Sequence, residues 1–140
     1  MAALPLPYYY GYEAEQFSFY RIPKRLFEDD RFRGVSTDAK LLYGMLLDRM
    51  ALSIKNGWLD EQGRVFIYYP ADEIMSVLHC RSEKAAKLMA ELDCKKGIGL
   101  IERVNHGQGR PTGSRFRKVF FPLPVGGLFS KAVHGRYIVK

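Results

Sequence analysis

The sequence predicts an α+β fold, a winged helix-turn-helix domain in which helices pack on a small antiparallel sheet with a β-hairpin wing. The order of the predicted elements supports this, because a helix, a strand, two helices and a terminal hairpin follow one another. The two middle helices are short and are separated by a turn of about four residues, as in a helix-turn-helix. The hairpin is predicted within residues 97–121, GIGLIERVNHGQGRPTGSRFRKVFF, where two apolar runs flank a Gly-rich tip.

The first helix is predicted over residues 36–53, STDAKLLYGMLLDRMALS. Ser36 or Thr37 can accept hydrogen bonds from the free N–H groups of the first turn, and Asp38 suits the positive end of the helix dipole. Apolar side chains at helical spacing place this helix in the centre of the core: Leu42, Met45, Leu46 and Met50. The β-branched and aromatic run 65–69, VFIYY, ends at a proline and predicts the third strand of the sheet.

The helix-turn-helix is predicted from residues 71–79 and 82–93, with HCRS breaking the helical pattern between them. Ser82 is the expected N-cap of the second helix. One face of that helix is apolar, with Ala85, Leu88, Met89 and Leu92. The other face carries Glu83, Lys84, Lys87 and Glu91, whose spacing also fits the i,i+4 ion pairs of any solvated helix.

The charge of the chain is concentrated at one end. The net charge is +7, and residues 1–96 are neutral, with 14 basic and 14 acidic side chains. Residues 97–140 hold eight basic side chains and only Glu102 on the acidic side, which accounts for the whole excess. This asymmetry is typical of a surface that binds a polyanion, although a solubilising surface with a basic tail would look the same.

The hairpin formed by predicted strands 100–105 and 115–121 has three possible uses. A phosphate cradle for a nucleotide is excluded, because its Gly-rich loop must lead into a helix, and neither the Walker nor the dinucleotide-binding glycine pattern occurs. A basic but inert turn and a protein-docking wing remain open. A DNA-binding wing best accounts for the basic and polar side chains on it: Arg103, His106, Gln108, Arg110, Arg115, Arg117 and Lys118. In that case the second helix enters the major groove and presents Arg81, Ser82, Lys84 and Lys87.

No enzyme, cofactor or metal signature emerges. Tyrosines at 8–12 suggest a nicking nucleophile, but the three histidines, His79, His106 and His134, lie too far apart to form the metal motif that such enzymes need. The spacing of Cys80 and Cys94 relative to the histidines fits no standard zinc site, so we expect ordinary reduced thiols. No apolar run approaches the roughly 20 residues needed to span a bilayer, and no signal peptide is evident, which predicts a cytoplasmic protein.

Most of the chain resembles a known family. Residues 17–121, above all AKLLYGMLLDRM, IKNGWLDEQGRV and GLIERVNHGQGRP, resemble the N-terminal domain of RepA-type plasmid replication initiators of Gram-positive bacteria. The resemblance implies a dimeric winged-helix domain that binds repeated sites on double-stranded DNA at a plasmid or mobile-element origin and starts replication. It places Arg81, Ser82, Lys84 and Lys87 on the recognition helix, and His106, Gln108, Arg110 and Arg115 on the wing. Family members usually continue into a second domain.

The predicted organisation is an aromatic arm at 1–16, the winged-helix domain at 17–121, and a tail or start of a linker at 122–140. Exposed aromatics at 8–20 and helix 36–53 are the expected homodimer interface. Two other functions remain possible. A winged-helix transcriptional repressor would bind a promoter through the same kinds of contact. A winged protein-interaction module would recruit host replication proteins without binding DNA.

Overall fold

The computed structural model describes residues 2–11, 18–104, 118–122, 131–133 and 136–138, the last two ranges as backbone. The helices are α1 (Arg25–Glu28), α2 (Thr37–Asn56), α3 (Ala71–Leu78) and α4 (Ser82–Leu92), and a 3-10 turn covers Asp30–Phe32. The strands are β1 (Phe66–Tyr68), β2 (Glu102–Val104), β3 (Lys118–Phe120), β4 (Lys131–Val133) and β5 (Arg136–Ile138). The predicted winged helix-turn-helix class and the order of its elements are confirmed. The tip of the predicted wing lies outside the described residues.

A three-stranded antiparallel sheet has the order β1-β3-β2. Phe66 pairs with Phe120 and Tyr68 with Lys118, so the strand predicted at 65–69 is indeed the third strand of the hairpin sheet. On the other side, Val104 pairs with Lys118, and the chain leaves β2 for the segment 105–117 from this pair. Strands β4 and β5 pair with each other as a separate two-stranded sheet.

Helix α2 lies at the centre of the core, as predicted. Leu42 and Leu46 are fully buried and pack in one cluster with side chains from the sheet and from the helix pair: Ile67, Ile74, Leu88, Leu92, Ile101 and Val119. Arg49 joins this helix to the next elements, since it pairs with Glu73 of α3 and donates a hydrogen bond to the carbonyl of Tyr68. The core therefore fixes α3 and α4 relative to the sheet through a single central helix.

The ends of the helices confirm one predicted cap and correct another. Ser36 caps α2, accepting from the N–H of Ala39, and Gly57 ends the helix in the left-handed conformation (φ 74°). Because this C-cap comes three residues later than predicted, α2 extends to Asn56. The prediction that Ser82 caps α4 is wrong: Arg81 occupies the cap position with extended backbone and no side-chain cap, and Ser82 is the first helical residue.

The connection from α4 to β2 folds back over the end of the helix. The N–H of Gly97 donates to the carbonyl of Asp93, and the N–H of Ile98 donates to the carbonyl of Glu91, both at 2.8 Å. A side chain at position 97 would overlap the carbonyl oxygens of Ala90 and Glu91. Only glycine allows this close approach, so the glycine ties the start of the hairpin to the end of α4. Within the described residues, no helix is long and apolar enough to cross a membrane.

Candidate nucleic-acid interface

The helix-turn-helix consists of α3, a turn at 79–81 and α4. His79 ends α3 in the left-handed conformation (φ 53°), and the N–H of Cys80 bonds to the carbonyl of Met75, so the chain reverses within three residues. One face of α4 packs on the core through Ala85, Leu88 and Leu92. The opposite face is therefore presented to solvent at the surface of the domain.

The exposed side of α4 has basic side chains at its start and a small residue in its middle. Arg81, Ser82 and Lys87 are exposed, as expected for groove contacts. Among the described residues, no carboxylate forms an ion pair with Lys87, so its charge is available to a ligand. No side chain caps α4, so its first-turn N–H groups, at the positive end of the helix dipole, lie next to the exposed Arg81 and Ser82.

Ala86 also lies on this exposed side, and the sequence analysis missed it. A methyl side chain allows a helix to lie deep in a groove, and alanine contacts the methyl group of thymine. The signal was present in the spacing, because Glu83, Ala86, Lys87 and Ala90 recur at helical intervals opposite the apolar face. It was overlooked because alanine carries no charge.

Lys84, the fourth predicted groove residue, forms an ion pair with a side chain of α2. Its Nζ lies 2.8 Å from Oδ2 of Asp38 in the first turn of α2. The hydrogen bond to Asp38 and its negative charge raise the pKa of Lys84 above its ordinary value. Both side chains are about half exposed, which leaves the pair at the rim of the candidate interface.

Glu91 has a different role from the one predicted. Its carboxylate accepts hydrogen bonds from the backbone N–H and the hydroxyl of Ser36, at 2.8 and 2.7 Å. Glu91 was expected on the solvated face within reach of Lys87, but it instead supplies the negative charge that the N-terminus of α2 favours. This contact and the Lys84–Asp38 pair fix α4 across the start of α2.

The prediction that Arg103 contacts DNA is corrected by the register of the sheet. Arg103 pairs across β2 and β3 with Val119, which is buried, so its side chain lies on the core face. There its guanidinium meets Oδ2 of Asp93 at 2.9 Å, with only 16% and 6% of the two side chains exposed. Burial alone would raise the pKa of Asp93, but the hydrogen bond and charge of Arg103 outweigh it and lower the pKa. Arg103 therefore joins the hairpin to the end of α4.

Lys118 lies on the outer face of the sheet, where its Nζ sits 4.6 Å above the ring of Phe66. On the same face, Arg64 stacks over Phe120 at 4.7 Å. These cations cover aromatic rings and keep their charges at the surface next to the start of the wing. The remaining predicted wing residues lie outside the described part of the chain: His106, Gln108, Arg110, Arg115 and Arg117.

The described residues contain no cluster of three or more His, Cys, Asp or Glu side chains that could hold a metal ion. Cys80 and Cys94 are both free thiols. The exposed side of α4 carries basic side chains, which can make reversible contacts with an anionic surface.

The model of the family described as "Replication initiator protein A (RepA) N-terminus" matches residues 18–118. The chain belongs to this family. The predicted resemblance over residues 17–121 is thereby confirmed. A curated relative by sequence, a "41 kDa protein" of Lactobacillus helveticus, is 28% identical over 89 residues. That match covers 64% of this chain and 24% of the relative, so the chain spans about a quarter of that protein's length.

Solved structures also resemble this RepA N-terminal domain. One described as "Structure of Rep-DNA complex" is 30% identical with a TM-score of 0.63, covering 85% of each chain. One described as "N-Terminal domain of DNA binding protein" is 29% identical with a TM-score of 0.64, covering 94% of this chain and 88% of the other. A third, "Structure of MDR initiator", is 26% identical with a TM-score of 0.59, covering 93% and 91%.

Proposed function

We propose that this domain binds double-stranded DNA sequence-specifically at repeated sites of a replication origin and so initiates plasmid or mobile-element replication. The observation that carries the proposal is the exposed side of α4, which presents basic side chains and the small side chain of Ala86. It occurs in a chain that belongs to the RepA N-terminal family. A related structure is described as a Rep–DNA complex, which supports the same function. Because the match covers only 24% of the curated relative, the initiation of replication is a proposal.

The proposed binding has two components. The exposed side of α4 enters the major groove, where Arg81, Lys87 and Ala86 meet base edges and Ser82 meets a phosphate. Lys118 and the wing residues from His106 to Arg117 supply charge that neutralises the phosphate backbone. Neither component requires a covalent bond to be made or broken, so we propose that the domain acts without catalysis or cofactor. We also propose that it works in the cytoplasm, where such DNA is found.

We further propose that the domain acts as a homodimer on paired half-sites spaced about 10 bp, or a multiple of that, from centre to centre. The structure bears on the two expected interfaces differently. The middle of α2, from Leu42 to Leu46, is buried in the core of the monomer. Among the described residues of the segment 8–20, aromatic side chains are exposed, with Tyr8 91%, Phe19 66% and Tyr20 50% accessible, so this segment is the better candidate. Host replication proteins are further proposed partners.

A transcriptional repressor is the second candidate, since the exposed helix would read a promoter by the same contacts. A protein-interaction module is the third. The one-sided charge of residues 97–140 favours DNA over a protein partner, because a docking surface needs no such excess.

The test is a salt series of binding to a random-sequence duplex and to an origin fragment with direct repeats. The proposal predicts a steep fall in affinity with salt for both probes, with tighter binding to the repeats. Equal binding to both would remove the origin-specific function and leave a general DNA-binding domain. No binding at low salt would overturn the proposal in favour of a protein-interaction module.

A further inference from the structure

We infer that Asp38 attenuates DNA binding, because it competes with DNA phosphates for Lys84 and so weakens binding to random sequences and to the cognate repeats alike. This inference rests on the proposed function. It concerns a residue outside the helix-turn-helix, on the first turn of α2, that would itself touch no base.

The first step is the geometry of the pair. Lys84 Nζ lies 2.8 Å from Asp38 Oδ2, across the junction between α4 and α2. Lys84 belongs to the first turn of α4, beside the exposed Arg81 and Ser82. The pair therefore lies at the edge of the surface proposed to face DNA. Lys84 must leave the carboxylate of Asp38 before its full charge can act on a phosphate.

The second step is that the pair opens easily. The side chains are 54% and 50% exposed, so neither charge is desolvated, and an exposed ion pair of this kind is weak. The backbone at both ends is held independently, because Ser36 caps α2 and Glu91 fixes α4 against Ser36. Opening the Lys84–Asp38 pair thus changes the charge available to DNA without moving the helix.

The third step is the effect on the two classes of DNA. Binding to random sequence depends almost entirely on the number of cations that reach phosphates. With Lys84 paired, one cation is subtracted from that number. A cognate site adds base-edge contacts from Arg81, Ala86 and Lys87 but uses the same backbone contacts, so the subtraction costs it the same free energy. The pair therefore lowers both affinities by a similar factor and leaves their ratio unchanged.

The experiment compares wild type with Asp38→Asn on the random duplex and on the origin fragment, each over a salt series. Asp38→Asn should bind both duplexes several-fold more tightly, with salt slopes steeper by up to ~1 and an unchanged ratio of specific to random affinity. Glu61→Gln is the matched control: it removes the same charge from an exposed turn that follows the opposite end of α2, and its affinities should stay close to those of wild type.

A Lys84→Gln background separates this mechanism from a general change in charge or stability. When Lys84 is already Gln, Asp38→Asn should change the affinity for either duplex no more than Glu61→Gln does. If Asp38→Asn leaves the affinity and slope equal to those of Glu61→Gln, or acts equally with and without Lys84, the inference is wrong while the proposed function stands. If wild type binds neither probe, the proposed function itself fails.

Discussion

Glu91 in the last turn of α4 holds Ser36, a residue 55 positions earlier, by two hydrogen bonds from the backbone N–H and the hydroxyl. The hydroxyl of Ser36 in turn accepts from the N–H of Ala39. Within one helix, a serine and a glutamate three residues apart form such a reciprocal cap. Here the glutamate comes from the proposed recognition helix, so the cap of the central helix also fixes the position of α4.

Replacing Glu91 should therefore lower stability. Glu91→Ala leaves the N–H of Ser36 without its partner and removes a carboxylate from the positive end of α2, which should cost about 1–2 kcal/mol. The free energy of unfolding in urea checks this. Glu83→Ala, an exposed glutamate on the same helix, should change stability by less than about 1 kcal/mol. Equal losses for the two variants would contradict the cap.

The Asp93–Arg103 pair predicts a pH dependence with a definite sign. The pKa of Asp93 is lowered in the folded protein, so its ionised carboxylate stabilises the fold above the unfolded pKa of about 4. This stabilisation is lost as the pH falls through the folded pKa. Arg103→Leu should cost about 3 kcal/mol at neutral pH, because it leaves a buried carboxylate unpaired.

The same substitution should weaken the local pH effect. Without Arg103, only the backbone hydrogen bonds from Cys94 and Lys95 still lower the folded pKa of Asp93, and burial opposes them, so the variant loses less stability than wild type as the pH is lowered from 7 to about 3. Urea unfolding across this range measures the difference between the two proteins. A difference that stays constant with pH would show that the carboxylate is not the group involved.

Gly97→Ala should destabilise the domain by more than about 2 kcal/mol, because the new methyl group would overlap the carbonyl oxygens of Ala90 and Glu91, which are backbone and cannot rotate away. Gly34→Ala is the matched control, since a side chain there meets nothing within 4 Å. In thermal unfolding, the midpoint of Gly97→Ala should be clearly lower than that of wild type, and the midpoint of Gly34→Ala should be nearly unchanged. Similar midpoints would contradict the close approach.

Ala86→Leu tests the surface of α4 without disturbing the core. Because Ala86 is exposed, stability should change by less than about 0.5 kcal/mol, while the larger side chain should prevent close approach to base edges and weaken binding to the origin repeats about 10-fold or more. Ala51→Leu, an exposed alanine on α2, should leave binding intact. Full affinity in Ala86→Leu would show that this side of α4 does not enter the groove.

The sequence was informative wherever local periodicity decided the structure. The apolar spacing of α2, the helix pair and the strand at 65–69 depend on residues within a few positions of each other, and all are found close to their predicted bounds. The N-cap of α4 was missed because Arg81 takes the extended cap conformation with no side-chain cap, so the polar Ser82 next to it was a false signal.

The roles of the charged side chains were harder to predict, because they depend on contacts between distant segments. Arg103 carries the same charge as its neighbours in the hairpin, and only the pairing of β2 with β3 directs it inward to Asp93. Likewise, Glu91 and Lys84 look like solvent-facing residues of a single helix until α2 is packed beside them. Ala86 became visible as a site residue only when the exposed side of α4 was defined.

The central claim is that the exposed side of α4 lies against DNA, and site-specific photocrosslinking tests it most directly. A photoreactive amino acid placed at position 86 should crosslink to the origin duplex, and the same group placed at position 51 on α2 should not. Crosslinking from position 51 but not from position 86, under conditions where the domain is bound to the duplex, would contradict the account and place the DNA on another surface of the domain.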